Sequence, residues 1–153
     1  MSNTYTQLHV QIIFAVENRM SLIKKEIQEQ VYKYIIAIIH NHNCKVIAIG
    51  GLEDHIHILI GFRPNQSISD LVQNIKRDSS KWINQNHLSF GRFGWQEGFG
   101  AFTYGKSQLN AVINYINTQE QKHKSKTFLQ EYKTFLDKFE IEYDNKYIFK
   151  EIQ

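Results

Sequence analysis

An α+β class is predicted by three observations on this 153-residue sequence. Alternating and helical hydrophobic periods succeed one another as β-α-β-β-α-β-α-α. The second and third strands are joined by the short Gly-Gly-Leu-Glu link of a hairpin. No internal repeat or low-complexity stretch interrupts the order. Together these describe a ferredoxin-like split βαβ sheet with additional C-terminal helices, folded as one domain over residues 1–153.

The first strand is TYTQLHVQIIF, where Leu8, Val10, Ile12 and Phe14 share a face. A helix runs from about Ser21, a serine cap, to His42. CKVIAIGG is the second strand, stopped by its two glycines. DHIHILIGF, residues 54 to 62, is the third. After Pro64 and Asn65, Ser67 with Asp70 three residues on forms a capping pattern that opens a helix to about Trp82 or Asn86. WQEGFGAFTYG reads as a fourth strand broken by glycines, and SQLNAVINYINTQEQ, from Ser107, as the next helix. A last helix, roughly Lys124 to Phe139, carries Phe128, Leu129, Tyr132, Phe135, Leu136 and Phe139, and the tail IEYDNKYIF is amphipathic and short.

Composition places the chain among ordinary globular proteins, with 42% apolar, 22% charged and 13% aromatic residues. A net charge of +3 is compatible with a nucleic-acid partner without pointing to one. The single cysteine, Cys44, rules out an internal disulfide and suits a small buried position at the opening of a strand. No basic, apolar leader and no run long enough for a membrane span is found, so a soluble cytoplasmic protein is expected.

The third strand carries the chemistry. Alternation puts Ile56, Ile58, Ile60 and Phe62 on one face, under two helices. His55 and His57 then stand side by side on the other, open face, close enough to share one divalent ion. Two histidines seldom make a complete site, and the helix after the fourth strand is the natural source of a third ligand. There Leu109, Val112, Ile113 and Ile116 make the core stripe, while Tyr115 and Gln119, four residues apart, are neighbours on its flank. A metal can polarise a phosphate oxygen while such a phenol attacks phosphorus. Each part alone has a plainer reading: a His-X-His pair is usually structural, and a lone tyrosine is usually a packing residue. His40 and His42 repeat the spacing near a helix end, where i and i+2 do not face each other, and read as solvated or capping groups.

The ordered combination of DHIHILIGF, SISDLVQNIKRDSSKWI, FGWQEGFGAFTYGKSQ and YINTQEQKHK resembles the single-tyrosine HUH transposases, the DNA-strand transferases of IS200-like insertion sequences. The resemblance covers nearly the whole chain. It implies that His55 and His57, flanking Ile56, are the HUH pair, that Tyr115 is the nucleophile, and that Gln119 completes the metal site. Related relaxases and rolling-circle initiators often carry two tyrosines on the catalytic helix; Tyr115 has no such companion. The resemblance also implies a homodimer, in which the tyrosine helix can serve the partner's histidines.

The expected function is therefore a metal-dependent single-stranded DNA transposase. It would cleave and rejoin hairpin-ended strands through a 5′-phosphotyrosine, with Mg²⁺ or Mn²⁺ on His55, His57 and Gln119. Lys76, Arg77, Lys81 and Arg92, interleaved with aromatics such as Phe90 and Phe93, are the candidate DNA contacts, with Arg19 and Lys106 behind them. Trp82 and Trp95 are expected in the core. The alternatives are a hairpin-binding module that does not cut, and a domesticated relative acting on dispersed palindromes.

Overall fold

The computed structural model describes residues 4–122 and 127–142. Four strands, β1 (His9–Ala15), β2 (Lys45–Leu52), β3 (His55–Gly61) and β4 (Gly100–Tyr104), form one antiparallel sheet in the order β2-β3-β1-β4. Helices α1 (Lys25–Asn41) and α2 (Ile68–Gln85) connect them. This is the expected ferredoxin-like split βαβ sheet: β1 and β2 are separated by β3, and β4 closes the far edge.

Both faces of the sheet are buried. Val10, Ile12 and Phe14 of β1 join Ile56, Ile58 and Ile60 of β3 under α1 and α2 in the larger core, which also takes Cys44 and Trp95. Trp82 is half-buried and stacks on Tyr34, with ring centroids 4.3 Å apart. The other face, expected open, is covered by α3 (Leu109–Asn117), α4 (Gln119–Lys122) and α5 (Phe128–Lys138). Val112 and Ile116 of α3 pack on Ala48 and Leu59. Phe128, Tyr132 and Leu136 of α5 pack on Ile13, Ala15 and Phe102. The aromatic stripe of the last helix needed a partner surface, and the second face of the sheet supplies it.

Two glycines permit that close cover. A Cβ at Gly50, which pairs with His57, would meet the Ile116 carbonyl oxygen at 2.6 Å. One at Gly100 would meet the Tyr132 ring at 2.8 Å. Gly50 and Gly100 thus let α3 and α5 sit directly on the strands.

Several boundaries move from their expected places. Leu8 lies before β1 and is exposed, and α1 begins at Lys25 instead of Ser21. Leu22 and Ile23 are buried as an extended link, and the Ile23 N–H donates to the Glu53 carbonyl, so neither is available for a helical turn. The capping bond of Ser67 to the Asp70 N–H is present at 3.3 Å. The fourth strand is confined to Gly100–Tyr104; Trp95 makes only an isolated bridge to Val16, and Gly98 at φ 93° turns the chain between them. The single helix expected from Ser107 starts as a 3-10 turn at Lys106–Gln108 and breaks at Thr118 (φ −114°, ψ 27°) into α3 and α4. In α5, Thr127 caps the helix reciprocally with Gln130. The stretch before Thr127 of the last expected helix, and the tail from residue 143, lie outside the described residues.

Candidate catalytic and metal site

His55 and His57 project from β3 onto the face covered by the C-terminal helices, and neither has exposed surface. Alternation along the strand fixes their side, and pairing of His55 with Ala15 and Leu52, and of His57 with Ile13 and Gly50, fixes their height. Their rings lie 5.2 Å apart, nearly perpendicular.

Each ring is held from behind. His55 Nδ1 is 2.7 Å from Asp54 Oδ1, and the other oxygen of Asp54 accepts from Arg19 Nε and a terminal nitrogen at 3.1 and 2.8 Å. Burial would raise the Asp54 pKa, but the bonds and charges of His55 and Arg19 outweigh it and hold the carboxyl at about 2. The carboxylate is therefore ionised and can only accept, so Nδ1 of His55 carries the proton. His57 Nδ1 donates to Gln11 Oε1 at 2.8 Å, while the Gln11 amide donates to the Tyr104 hydroxyl at 2.7 Å. In neutral rings both Nε2 atoms then present lone pairs inward.

Those lone pairs meet oxygen acceptors. Gln119 Oε1 is 3.0 Å from His55 Nε2. Glu131 Oε1, from α5, is 3.0 Å from His57 Nε2 and 3.9 Å from His55 Nε2. Acceptor facing acceptor is unfavourable unless a cation stands between them, either a second ring proton or a metal ion. Neighbouring ligands on an octahedral ion of Mg²⁺ size are about 3.0 Å apart, given bonds near 2.1 Å. His55, His57 and Glu131 offer ligand atoms within 4.8 Å of one another, and the second partner on each imidazole is the usual support of a metal-bound histidine. The residues fit a divalent ion.

Tyr115 stands beside this cluster. Its ring is 5.9 Å from that of His57, and its hydroxyl donates to Glu131 Oε2. Burial, then the charge and bond of Glu131, push the Tyr115 phenol far above its ordinary pKa, so it is neutral at physiological pH. A cavity of about 300 Å³, lined by Tyr115, Glu131, Gln11, Tyr104, Phe135 and Lys138 among others, opens at the phenol. The break at Thr118 shapes the site too. Gln119 begins a new helix, with its amide donating to the Tyr115 carbonyl at 3.3 Å and its oxygen aimed at His55. The neighbours-on-one-helix picture of Tyr115 and Gln119 is corrected accordingly, although the two still meet at the histidines.

Sequence reasoning missed Glu131. It sits on the apolar stripe of α5, three residues after Phe128 and one before Tyr132, and is 3% exposed. A carboxylate on a core stripe was the available signal. Arg19, expected as a secondary DNA contact, is instead buried: it holds Asp54 and lies 4.5 Å above the Phe128 ring, which itself stacks on His55. Gln11 and Tyr104 were likewise read only as strand residues.

The expected DNA contacts divide. The Lys76 ammonium donates to the carbonyls of Gln96 and Gly98 at 2.8 and 2.6 Å, pinning α2 to the segment before β4. Burial pushes its pKa down to about 8, opposed by Glu97. Arg77 is exposed and pairs with Asp78 at 3.0 Å. Lys81 and Arg92 are exposed and line a second cavity of about 500 Å³ with Glu17, Asn18 and Asn84. Phe90 beside it is 91% exposed. The turn Glu17–Arg19 joins the two regions, since Glu17 and Asn18 line this cavity while Arg19 holds the partner of His55. Among the described residues no helix is long and apolar enough to cross a membrane.

Comparison with known proteins follows the same geometry. Residues 4–119 match the family model described as "Transposase IS200 like". The chain is 23% identical over 121 residues to the ISDra2 transposase TnpA of Deinococcus radiodurans, covering 76% of this chain and 86% of that protein. Two solved structures share the fold. One is a crystal structure assigned to the transposases of Deinococcus radiodurans R1, with TM-score 0.60 and 20% identity over 78% of this chain and 95% of the other. The second is a REP-associated tyrosine transposase bound to a REP hairpin, with TM-score 0.61 and 16% identity over 80% and 73% of the two chains.

Proposed function

This chain belongs to the IS200-like transposase family, and on that premise we propose that Tyr115 is its nucleophile and that His55, His57 and Gln119 hold Mg²⁺ or Mn²⁺. It is a single-tyrosine HUH transposase that acts on single-stranded DNA through a phosphotyrosine. One observation supports the residue assignment above the rest: the phenol of Tyr115 sits at the edge of a buried cluster where two imidazoles and two side-chain oxygens converge at the spacing of ligands around one divalent ion.

The residues divide the work. Tyr115 Oη attacks the phosphorus of a phosphodiester; the Oη–P bond forms, the P–O3′ bond breaks, and the 3′ oxygen leaves as a hydroxyl once protonated. The 5′ side stays on the tyrosine, and a later 3′-hydroxyl reverses the step on the same phosphorus, releasing the phenol. The bond energy is conserved in the phosphotyrosine, so no nucleotide is consumed. A bound Mg²⁺ or Mn²⁺ supplies Lewis-acid charge for the phosphate oxygens. Asp54 and Gln11 engage both Nδ1 atoms and so aim the two Nε2 atoms at the ion site. The high pKa of the buried phenol means that it needs such charge nearby to act as a nucleophile.

The strand partner has hairpin ends in this reading, supported by likeness in fold to the hairpin-bound transposase. Lys81 and Arg92 contact its backbone beside Phe90, Arg77 extends that strip along α2, and Lys76 contributes through the loop it pins. The protein works in the cytoplasm as a homodimer, with residues 1–153 as one HUH domain. The test is to incubate the protein with labelled single strands from the flanks of its own gene and Mn²⁺ or Mg²⁺. A labelled band that survives denaturation, and that vanishes with chelator or in Tyr115→Phe, is expected. Strands that bind but never become attached would refute the assignment.

A further inference from the structure

The family match ends at residue 119, yet the most deeply placed carboxylate of the site arrives twelve residues later, from α5. Its two oxygens have different tasks. Oε1 faces His57 Nε2 at 3.0 Å and His55 Nε2 at 3.9 Å, whereas Oε2 accepts the hydroxyl hydrogen of Tyr115. We propose that Glu131 is an additional metal ligand and the positioning residue of Tyr115, so that one chain supplies both the ion and the nucleophile for each cut.

The inference rests on the transposase reading above and adds to it. A neutral set of two imidazoles and an amide oxygen gives a divalent ion no countercharge; Glu131 adds one negative charge where the two Nε2 lone pairs converge. The same carboxylate ties the phenol to its own chain. Three further contacts keep it in place. Thr127 and Gln130 cap α5 one turn earlier. Phe128 stacks on His55 at 4.3 Å. Phe135 lies edge-on to Tyr115 at 5.7 Å. A tyrosine helix serving a partner's histidines would have to leave Glu131 and Phe135 behind, or carry α5 with it off Ile13, Ala15 and Phe102 of its own sheet. In a homodimer each copy therefore carries a complete site.

Two measurements test it. In calorimetric titration with Mn²⁺ alone, Glu131→Gln should bind at least about tenfold more weakly than the native chain. Its far-UV circular dichroism without metal should match that of the native chain, so that weaker binding reports a lost ligand and not a lost fold. Unchanged Mn²⁺ affinity would overturn the ligand role, and loss of the native fold in the metal-free variant would reduce Glu131 to a structural residue. The second measurement mixes two chains of distinguishable length, one His57→Ala and one Tyr115→Phe, with labelled strand and Mn²⁺. His55→Ala replaces His57→Ala if the latter does not fold. No attached strand is expected from the mixture. Attachment to the histidine-deficient chain would show the tyrosine working in trans and overturn the single-chain site. Native chains of both lengths run alongside; failure of these to attach strand would instead sink the transposase reading, whatever the Mn²⁺ titration shows.

Discussion

The two faces of this sheet are made from alternate residues of the same strands, yet they are built on opposite terms. Under α1 and α2, Ile12, Phe14, Ile56, Ile58 and Ile60 close a hydrocarbon core whose stability comes from apolar burial. Under α3, α4 and α5, the equivalent positions hold Gln11, His55 and His57, joined by Gln119 and Glu131, all buried. Every one of these polar side chains has a hydrogen-bonding or ionic neighbour, and the two Nε2 atoms converge with the Gln119 and Glu131 oxygens. One face is a hydrocarbon core and the other presents a ligand set that can hold a divalent cation. Stability and chemistry are thereby separated by a single residue step along β3, and substitutions should sort accordingly.

The largest effect is expected on the site face. Tyr115→Phe should lower strand attachment by about 10³-fold or more, since it removes the hydroxyl that bonds Glu131 beside the histidines, the nucleophile of this reading. Its folding should be retained, because Phe keeps the ring packed against Phe135. The check is attachment under single-turnover conditions beside a melting curve. Ile58→Ala, one residue beyond His57, should do the reverse. It should lower unfolding free energy by about 2–5 kcal/mol, the range for truncating a fully buried Ile. Attachment per folded molecule should stay close to native well below the melting point. If both variants lost stability and chemistry together, the two faces would not be separable.

The next effect comes from the support behind His55. Asp54 has a pKa of about 2 in the folded chain against 3.8 unperturbed, so the folded state takes up its proton later than the unfolded state as pH falls. Its stabilisation is fully present above about pH 4 and is lost as pH falls through about 2. The shift is worth about 2 kcal/mol. Urea midpoints between pH 5 and 2 should show this slope in the native chain and lose that portion in Asp54→Asn. An identical slope in both would mean that other carboxyls carry the acid sensitivity.

Much of this division was legible in the sequence. The period-two pattern of DHIHILIGF placed both histidines opposite the isoleucine face, and the spacing of Tyr115 and Gln119 sent both toward them. What was not legible depended on contacts far along the chain. Nothing local to Thr118 announces a helix break; it is accompanied by Thr118 Oγ1 bonding the Asn114 carbonyl and by Gln119 reaching His55. Lys76 read as a free cation because the carbonyls it serves lie twenty residues on. Glu131 could be recognised as a misfit on an apolar stripe, but its purpose shows only when α5 folds back over β1 and β4. Local period reveals which way a side chain faces, and tertiary contact decides what it meets.

The smallest effect probes the weakest part of the site face, the attachment of α5. The hydrocarbon face is held by two long helices, whereas Glu131 reaches the histidines from an eleven-residue helix started by the Thr127 and Gln130 cap. Thr127→Ala removes the acceptor for the Gln130 N–H and should cost about 1 kcal/mol. Because Thr127 is exposed and touches neither core, that loss should appear chiefly as local opening of α5. Hydrogen exchange should quicken over Phe128–Lys138 by about fivefold while α2 keeps its protection. Mn²⁺ should restore much of the difference if Glu131 is a ligand, since an ion bound only by the closed form favours closure. Equal quickening in α2 would show that the two faces unfold as one unit. Quickening confined to α5 but indifferent to Mn²⁺ would leave the faces distinct while removing Glu131 from the metal site.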